Sequence, residues 1–311
     1  MQTADDAVVV ARGLVKRFGD FVAVDGIDVE IHRGEVFGFL GPNGAGKTST
    51  MRMIACMSPK SEGYLRVRGL DPEHDGSLIR AGLGVVPQED ALDGELTVLE
   101  NLVVYGRYFD IPKKDARLRA EQLLEFAQLS DRAKTKVEEL SGGMKRRLTL
   151  ARALISSPEI VILDEPTTGL DPQARHLVWE RLYRLKRDGV TLILTTHYMD
   201  EAEQLCDRLV VMDHGSIVAN GPPRSLIEEH VSKEVVEIRL PEENYEQLTL
   251  DLGDRVERTE MLADRFCCYT DEGESLLSYV KSLGYAPISE LVRRASLEDV
   301  FLLLTGRSLV E

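Results

Sequence analysis

The sequence predicts an α/β core interrupted by a mostly helical insertion and followed by a small α+β tail. Three observations predict it. A short apolar run, Val36–Leu40, leads into a glycine-rich turn and then a helix beginning near Lys47, the opening of an α/β unit with buried strands. From Thr97 to about Ser157 the apolar residues recur at helical spacing. Beyond Gly221-Pro222-Pro223, a turn-forming boundary, short strands and short helices alternate anew. The division so read is residues 1–222, with the insertion at about 91–157, and residues 223–311.

In chain order, Val8–Val10 and Ile27–Ile31 read as short strands, and Gly82–Val86 as another ending at Pro87. Leu96–Leu102 begins a helix and Ala116–Leu129 forms a second. Met144, Leu148, Ala151 and Ile155 mark a third, which Pro158 stops because proline cannot continue a helical ladder. Ile160–Leu163 and Thr191–Thr195 return to strand. Between them Gln173–Lys186 carries Ala174, Val178, Leu182 and Leu185 on one helical face. In the tail, Val235–Leu240, Phe266–Tyr269 and Ile288–Val292 read as strands, and Tyr245–Leu252 and Glu274–Leu283 as helices. Ser296–Leu304 is a last helix, with Ser296 as its N-cap.

The 311 residues are 43% hydrophobic, enough for a sizeable core, and carry a formal net charge of −15. That balance opposes nucleic-acid binding, which draws most of its affinity from basic residues neutralising phosphates. The four cysteines, Cys56, Cys206, Cys267 and Cys268, form no C-x-x-C pair and are expected as reduced thiols. Cys267 and Cys268 would face opposite sides of a strand. The start, Met1–Asp6, is polar and acidic, without the basic and apolar pattern of a signal peptide. No stretch approaches the ~20 apolar residues of a membrane helix. If the protein acts at a membrane, it docks there through a partner.

Gly41-Pro42-Asn43-Gly44-Ala45-Gly46-Lys47-Thr48 matches G-x-x-x-x-G-K-[ST] fully. Glycines leave room for phosphate oxygens, and successive N–H groups form an anion nest at a helix N-terminus. Lys47 would reach the β- and γ-phosphates of ATP, Thr48 would offer a hydroxyl to Mg²⁺, and Ser49 would help hold the α-phosphate. Ile160–Glu165 is an apolar strand ending in two acids. Asp164 would organise Mg²⁺ through its water shell, and Glu165 would polarise the attacking water as general base.

With these in place the chain resembles the ATP-binding cassette (ABC) family of P-loop NTPases. Leu140-Ser141-Gly142-Gly143-Met144 is similar to its signature motif, Gln88 after Val85-Val86-Pro87 to its Q-loop, Gly169-Leu170-Asp171 to its D-loop and His197 to its switch histidine. Phe18, in Arg17-Phe18-Gly19, stands where the family has an aromatic stacked on adenine, more often tyrosine. The motifs follow family order over roughly the first two thirds of the chain. The resemblance implies a RecA-like core with a β subdomain and a helical insertion. It also implies an ATPase with Glu165, His197, Lys47 and Gln88 as catalytic residues, Gln88 joining Thr48 and Asp164 at the metal. Ser141, Gly142, Gly143 and Asp171 would contact ATP held by a second cassette, so a homodimer or cassette dimer is implied.

Glu35–Gly41, Met144–Leu148 and Thr196–Ala202 resemble the ABC-2 exporters, which include drug-resistance and nodulation-type lipo-oligosaccharide export ATPases. Gly143–Arg152 and Ala174–Arg181 are especially similar to the nodulation type, and the tail's Leu297–Phe301 with Leu304-Thr305-Gly306 also occurs in ABC-2 ATPases. The resemblance implies a peripheral subunit on the cytoplasmic face of a bacterial-type cell membrane, driving a separate integral-membrane permease. Tyr105, Tyr108 and Phe109 fall where the family borders the groove receiving a helix of that permease; the alternative is that they are core of the insertion. The rival function is a soluble ABC ATPase acting on ribosomes or nucleic acid. The tail is read as a packing element.

Overall fold

The computed structural model describes residues 6–241, 244–262 and 264–306, so of the polar start Met1–Asp6 only Asp6 falls among them. The chain divides into two units, Met1–Asn220 and Gly221–Glu311. The first runs β1 (Ala7–Phe18), β2 (Phe21–His32), β3 (Val36–Leu40), α1 (Lys47–Ile54), β4 (Glu62–Val67), α2 (Gly76–Ala81), β5 (Leu83–Val86), α3 (Val98–Arg107), α4 (Lys113–Phe126), α5 (Gly142–Ala153), β6 (Ile160–Asp164), α6 (Pro172–Arg187), β7 (Thr191–Thr196), α7 (Met199–Leu205), β8 (Arg208–Asp213) and β9 (Ser216–Gly221).

Its main sheet has the order β5-β6-β7-β3-β8-β9, parallel from β5 to β8. β3 and β7 are buried at every position and β6 at all but its last. Strands covered on both faces read as unbroken apolar runs, which is why these were plain in the sequence. Phe37 and Phe39 meet edge to face at 5.3 Å and are fully buried. A second sheet, β2-β1-β4, is antiparallel. Here the expectation of short strands is corrected: β1 and β2 each run 12 residues. Repeated register shifts along their ladder, one beside Gly13 at φ 52°, break the period-2 alternation, so only fragments are legible.

The helices α3, α4 and α5 pack around Val98, Leu102, Ala120, Leu124, Leu148, Ala151 and Ile155. Two boundaries differ from expectation. α4 starts earlier, at Lys113, with Pro112 at its N-cap, and ends before Leu129. Pro158 is not what ends α5: the helix stops at Ala153 and tightens into i→i−3 bonds, Leu154 N–H to Ala151 and Ile155 N–H to Arg152. Ile155 stays fully buried beyond the helix.

The second unit holds α8 (Pro223–His230), β10 (Glu234–Arg239), α9 (Tyr245–Leu252), β11 (Arg258–Met261), β12 (Phe266–Thr270), α10 (Gly273–Ser282), β13 (Ser289–Arg294) and α11 (Leu297–Thr305). Its sheet, β11-β12-β10-β13, is antiparallel throughout. α9 and α10 cover one face through Tyr245, Leu248, Leu276 and Val280. Cys268 points into that core while Cys267 belongs to a separate cluster with Val235 and Tyr269, on opposite faces as expected. All four cysteines are free. α11 opens with a capping box of Ser296 and Asp299.

Candidate nucleotide site

Three neighbouring strand ends build the site. β7 lies between β3 and β6, with Leu40 opposite Thr196 and Asp164 opposite Thr195. The loop after β3, the acids ending β6 and His197 after β7 therefore meet at the carboxyl edge, where open parallel sheets take ligands.

α1 begins at Lys47 behind Gly46, whose φ is 101°. A Cβ on Gly46 would lie 2.4 Å from Ala23 O, and one on Gly41 2.3 Å from Met212 O, so the loop is pressed against β2 and β8. No side chain caps α1, and no acid stands in its first turn. The N–H groups there have no intrahelical partner and carry the positive end of the helix dipole, a site suited to an anion. In α3, by contrast, Thr97 and Glu100 cap each other reciprocally. Asn43 and Gly44 are exposed at the crown of the loop, Pro42, Thr48 and Ser49 are half-buried, and Ala45 is buried. Lys47 is 4% exposed, and its Nζ donates to the carbonyls of Gly41 at 2.7 Å and Pro42 at 3.0 Å. Burial pulls its pKa down, opposed by the carboxylates of Glu165 and Asp164.

Asp164 Oδ1 accepts from Thr48 Oγ1 at 3.2 Å and Thr195 Oγ1 at 2.6 Å. Glu165 has φ 46°, a left-handed conformation costing a non-glycine residue about 1–3 kcal/mol. It is held there by its N–H, which donates to Thr195 Oγ1 at 3.0 Å and Thr195 O at 3.2 Å. The carboxylate accepts from Gln88 Nε2 at 3.2 Å and Thr168 Oγ1 at 3.1 Å, and His197 Nδ1 lies 3.3 Å away. The His197 contact is the largest influence on Glu165 and, with Lys47 and Thr168, outweighs burial to hold its carboxyl below the usual range. An ionised carboxylate so placed can take a proton from a bound water.

The structure thus brings Lys47, Thr48, Gln88, Asp164, Glu165 and His197 together. Phe18 is 54% exposed at the tip of β1, with Lys16 Nζ 4.8 Å from its ring centroid and Phe21 as its partner across the hairpin. Phe21, 63% exposed, is a second aromatic at this tip that the sequence reading passes over. Ser141 and Asp171 act within the chain as helix N-caps, Ser141 accepting from Met144 N–H and Asp171 from Ala174 N–H. Ser141 and Gly142 are exposed, and a Cβ on Gly143 would come 2.9 Å from Ala174 Cβ. Among the described residues no hydrogen bond joins Ser141, Gly142, Gly143 or Asp171 to Gly41–Ser49. Tyr105 and Phe109 pack on the insertion's core, whereas Tyr108 is 78% exposed and lines an open groove of about 410 Å³ with Met57, Pro87 and Val104.

Two further residues of consequence, Glu201 and Arg146, lie inside stretches that carried the family resemblance, but nothing in the sequence singled them out. Glu201 is fully buried and accepts at Oε1 from Thr167 Oγ1 at 2.8 Å and Trp179 Nε1 at 3.1 Å. Arg146 is 5% exposed, and its guanidinium donates to main-chain carbonyls beside Gln88 and Glu165. A glutamate or arginine on a helix is ordinarily a surface residue, and only the tertiary fold reveals otherwise.

Comparison with known proteins bears on the whole chain. The ABC transporter family model matches residues 24–168, and the model of the C-terminal domain of nodulation factor export protein NodI matches residues 246–306. The Nod factor export ATP-binding protein I of Rhizobium sp. (strain N33) is 49% identical over 297 residues, covering 96% of each chain. Its counterpart in Burkholderia thailandensis is 48% identical, covering 94% of this chain and 95% of its own. Among solved structures, cbiO1 from Clostridium perfringens, part of the ABC transporter complex cbiONQ, superposes with TM-score 0.67 at 28% identity, over 72% of this chain and 92% of that one. A dimeric ATP-binding cassette in a post-hydrolysis state, bound to ADP and Pi, gives TM-score 0.64 at 27% identity, over 69% and 98%.

Proposed function

The chain belongs to the ABC transporter family as an ATP-hydrolysing export subunit, and from that premise we propose that two copies close around ATP and drive a separate integral-membrane permease. The observation that carries this is the cluster in which Gln88, Thr168 and His197 all reach the Glu165 carboxylate beside the uncapped start of α1. In this reading residues 1–222 are the ATPase domain, with the insertion at about 91–157, and 223–311 are an accessory domain. Gly41–Ser49 takes the phosphates through its N–H groups, Phe18 stacks on adenine, and Lys47 gives up the Gly41 and Pro42 carbonyls for the β- and γ-phosphates.

The oxygen donors fit Mg²⁺, a hard cation that keeps several waters and shares substrate phosphates. Thr48, Asp164 and Gln88 would hold it, and when bound it supplies neutralisation of phosphate charge. Glu165 orients the attacking water and accepts its proton. His197 steadies the Glu165 side chain and offers its imidazole toward the γ-phosphate, while Lys47 stabilises the negative charge that spreads over the transferring group. Ser141 and the N–H groups of Gly142 and Gly143, which make no hydrogen bond to Gly41–Ser49 of their own chain, serve the twin's ATP together with Asp171.

Among the described residues no helix is long and apolar enough to cross a membrane; the likeness to export ATP-binding proteins is what supports docking through a membrane partner at the cytoplasmic face. The near full-length likeness to Nod factor export ATP-binding proteins supports export as the direction and a cargo of the Nod factor kind. The same likeness leaves the soluble, ribosome- or nucleic-acid-directed alternative without support. Steady-state hydrolysis and ATP binding by Glu165→Gln test the chemistry. Turnover falls about 100-fold or more while Mg·ATP binding is retained; normal turnover would remove Glu165 from its role.

A further inference from the structure

We propose that Arg146 is a positioning residue for hydrolysis, one buried guanidinium that fixes the backbone of the Gln88 loop and of the Asp164–Glu165 strand end to the helix that Ser141 caps. An arginine has five N–H donors in a rigid planar fork. Here Nε donates to Pro166 O at 2.7 Å, one terminal nitrogen to Pro87 O and to Gln88 O at 3.4 Å, and the other to Asp164 O and Glu165 O, each at 2.9 Å. Every acceptor is a main-chain carbonyl of the two segments that carry the hydrolytic side chains. Its ion-pair partner, Asp90, lies 3.9 Å away, and the carboxylates of Glu201, Asp164 and Glu165 also stabilise its charge.

Two more residues on the same face of α5 extend the grip. Thr149 donates to Asp90 Oδ1 at 3.1 Å, and Arg152 donates to Ala91 O. Positions 146, 149 and 152 are three residues apart and so line one side of the helix. Of the three, only Arg146 also reaches the end of β6. Glu165 needs that support, because its left-handed backbone persists only where its surroundings over-determine it. The arrangement ties the placement of Gln88 and Glu165 to the helix whose first turn would meet the twin's ATP. A lysine, with a single ammonium and no planar fork, cannot reproduce it.

This inference rests on the reading of Glu165 and Gln88 as hydrolytic residues, so Arg146→Lys and Arg146→Gln are compared with Glu165→Gln. The readouts are kcat, KM for Mg·ATP and melting temperature. The positioning role predicts kcat lower by about tenfold or more with KM within about twofold, measured at temperatures where Arg146→Lys, despite a lowered melting temperature, is fully folded. Arg146→Gln, keeping fewer donors, lies lower still. Wild-type kcat in a folded Arg146→Lys overturns the proposal, as does a rise in KM at unchanged kcat. Failure of both variants to fold, or loss of kcat only in step with melting temperature, assigns Arg146 to stability alone and overturns it equally. Glu165→Gln turning over normally would remove the underlying reading whatever Arg146→Lys does.

Discussion

Glu165 and Glu201 show how two carboxyls in one fold take opposite characters. Glu165 faces His197, Lys47 and hydroxyl donors and is held ionised. Glu201 is fully buried, and that burial pushes its carboxyl up toward the neutral form. The Thr167 and Trp179 donors are satisfied by its Oε1, an acceptor that an amide oxygen can replace. Glu201→Gln is therefore expected to fold as stably as the wild type, and Glu201→Ala to lose about 1–3 kcal/mol for each donor left unpaired. The pH dependence has a definite sign. With the folded pKa raised, the native state holds the proton that the unfolded chain releases, so this contribution is full below the ordinary carboxyl value. It is lost as pH rises from about 4 toward the raised value. Denaturant midpoints measured upward from that pH show a decline in the wild type that Glu201→Gln lacks.

At the scale of elements, legibility followed burial and regularity. β3, β6 and β7 are apolar runs because the sheet covers both their faces. β1 and β2 were read only in part because bulges break their alternation. β4 was missed because three of its six residues are exposed. β8 carries a run as plain as that of β6, Leu209–Met212, ended by a turn through Gly215, and the pattern reading passes over it. α11 was legible from its cap, yet what the capping residue does was not. Asp299, 1% exposed, completes the capping box with Ser296 and also accepts two bonds from Arg293, at 2.7 and 2.9 Å. Asp299→Ala is expected to cost about 1–3 kcal/mol, because it strips the cap and one of the two carboxylates paired with the half-buried Arg293, which keeps Glu237 at 2.6 Å. Denaturant unfolding checks this, with Ser296→Ala losing only about 1 kcal/mol as the comparison.

For the whole molecule, the order of motifs carried the functional reading, because a phosphate loop, a signature and an acid pair are local in sequence. Their convergence at the ends of β3, β6 and β7 is topological, and the parts that Arg146 and Thr195 play in fixing the geometry are not legible from the stretches they sit in. The proposed pairing of Ser141 with another copy's ATP would be a property of two chains, and a head-to-tail arrangement is what makes it testable. Mixing Lys47→Ala, crippled in the phosphate loop, with Ser141→Arg, crippled in the signature, tests it most directly. Each mutant alone has two damaged sites per dimer. A mixed dimer gathers both lesions into one site and leaves the other intact. Mixing equal amounts should restore roughly a quarter of wild-type turnover, half the dimers being mixed with one working site each. A mixture no more active than the two inactive mutants apart would contradict a site shared between copies.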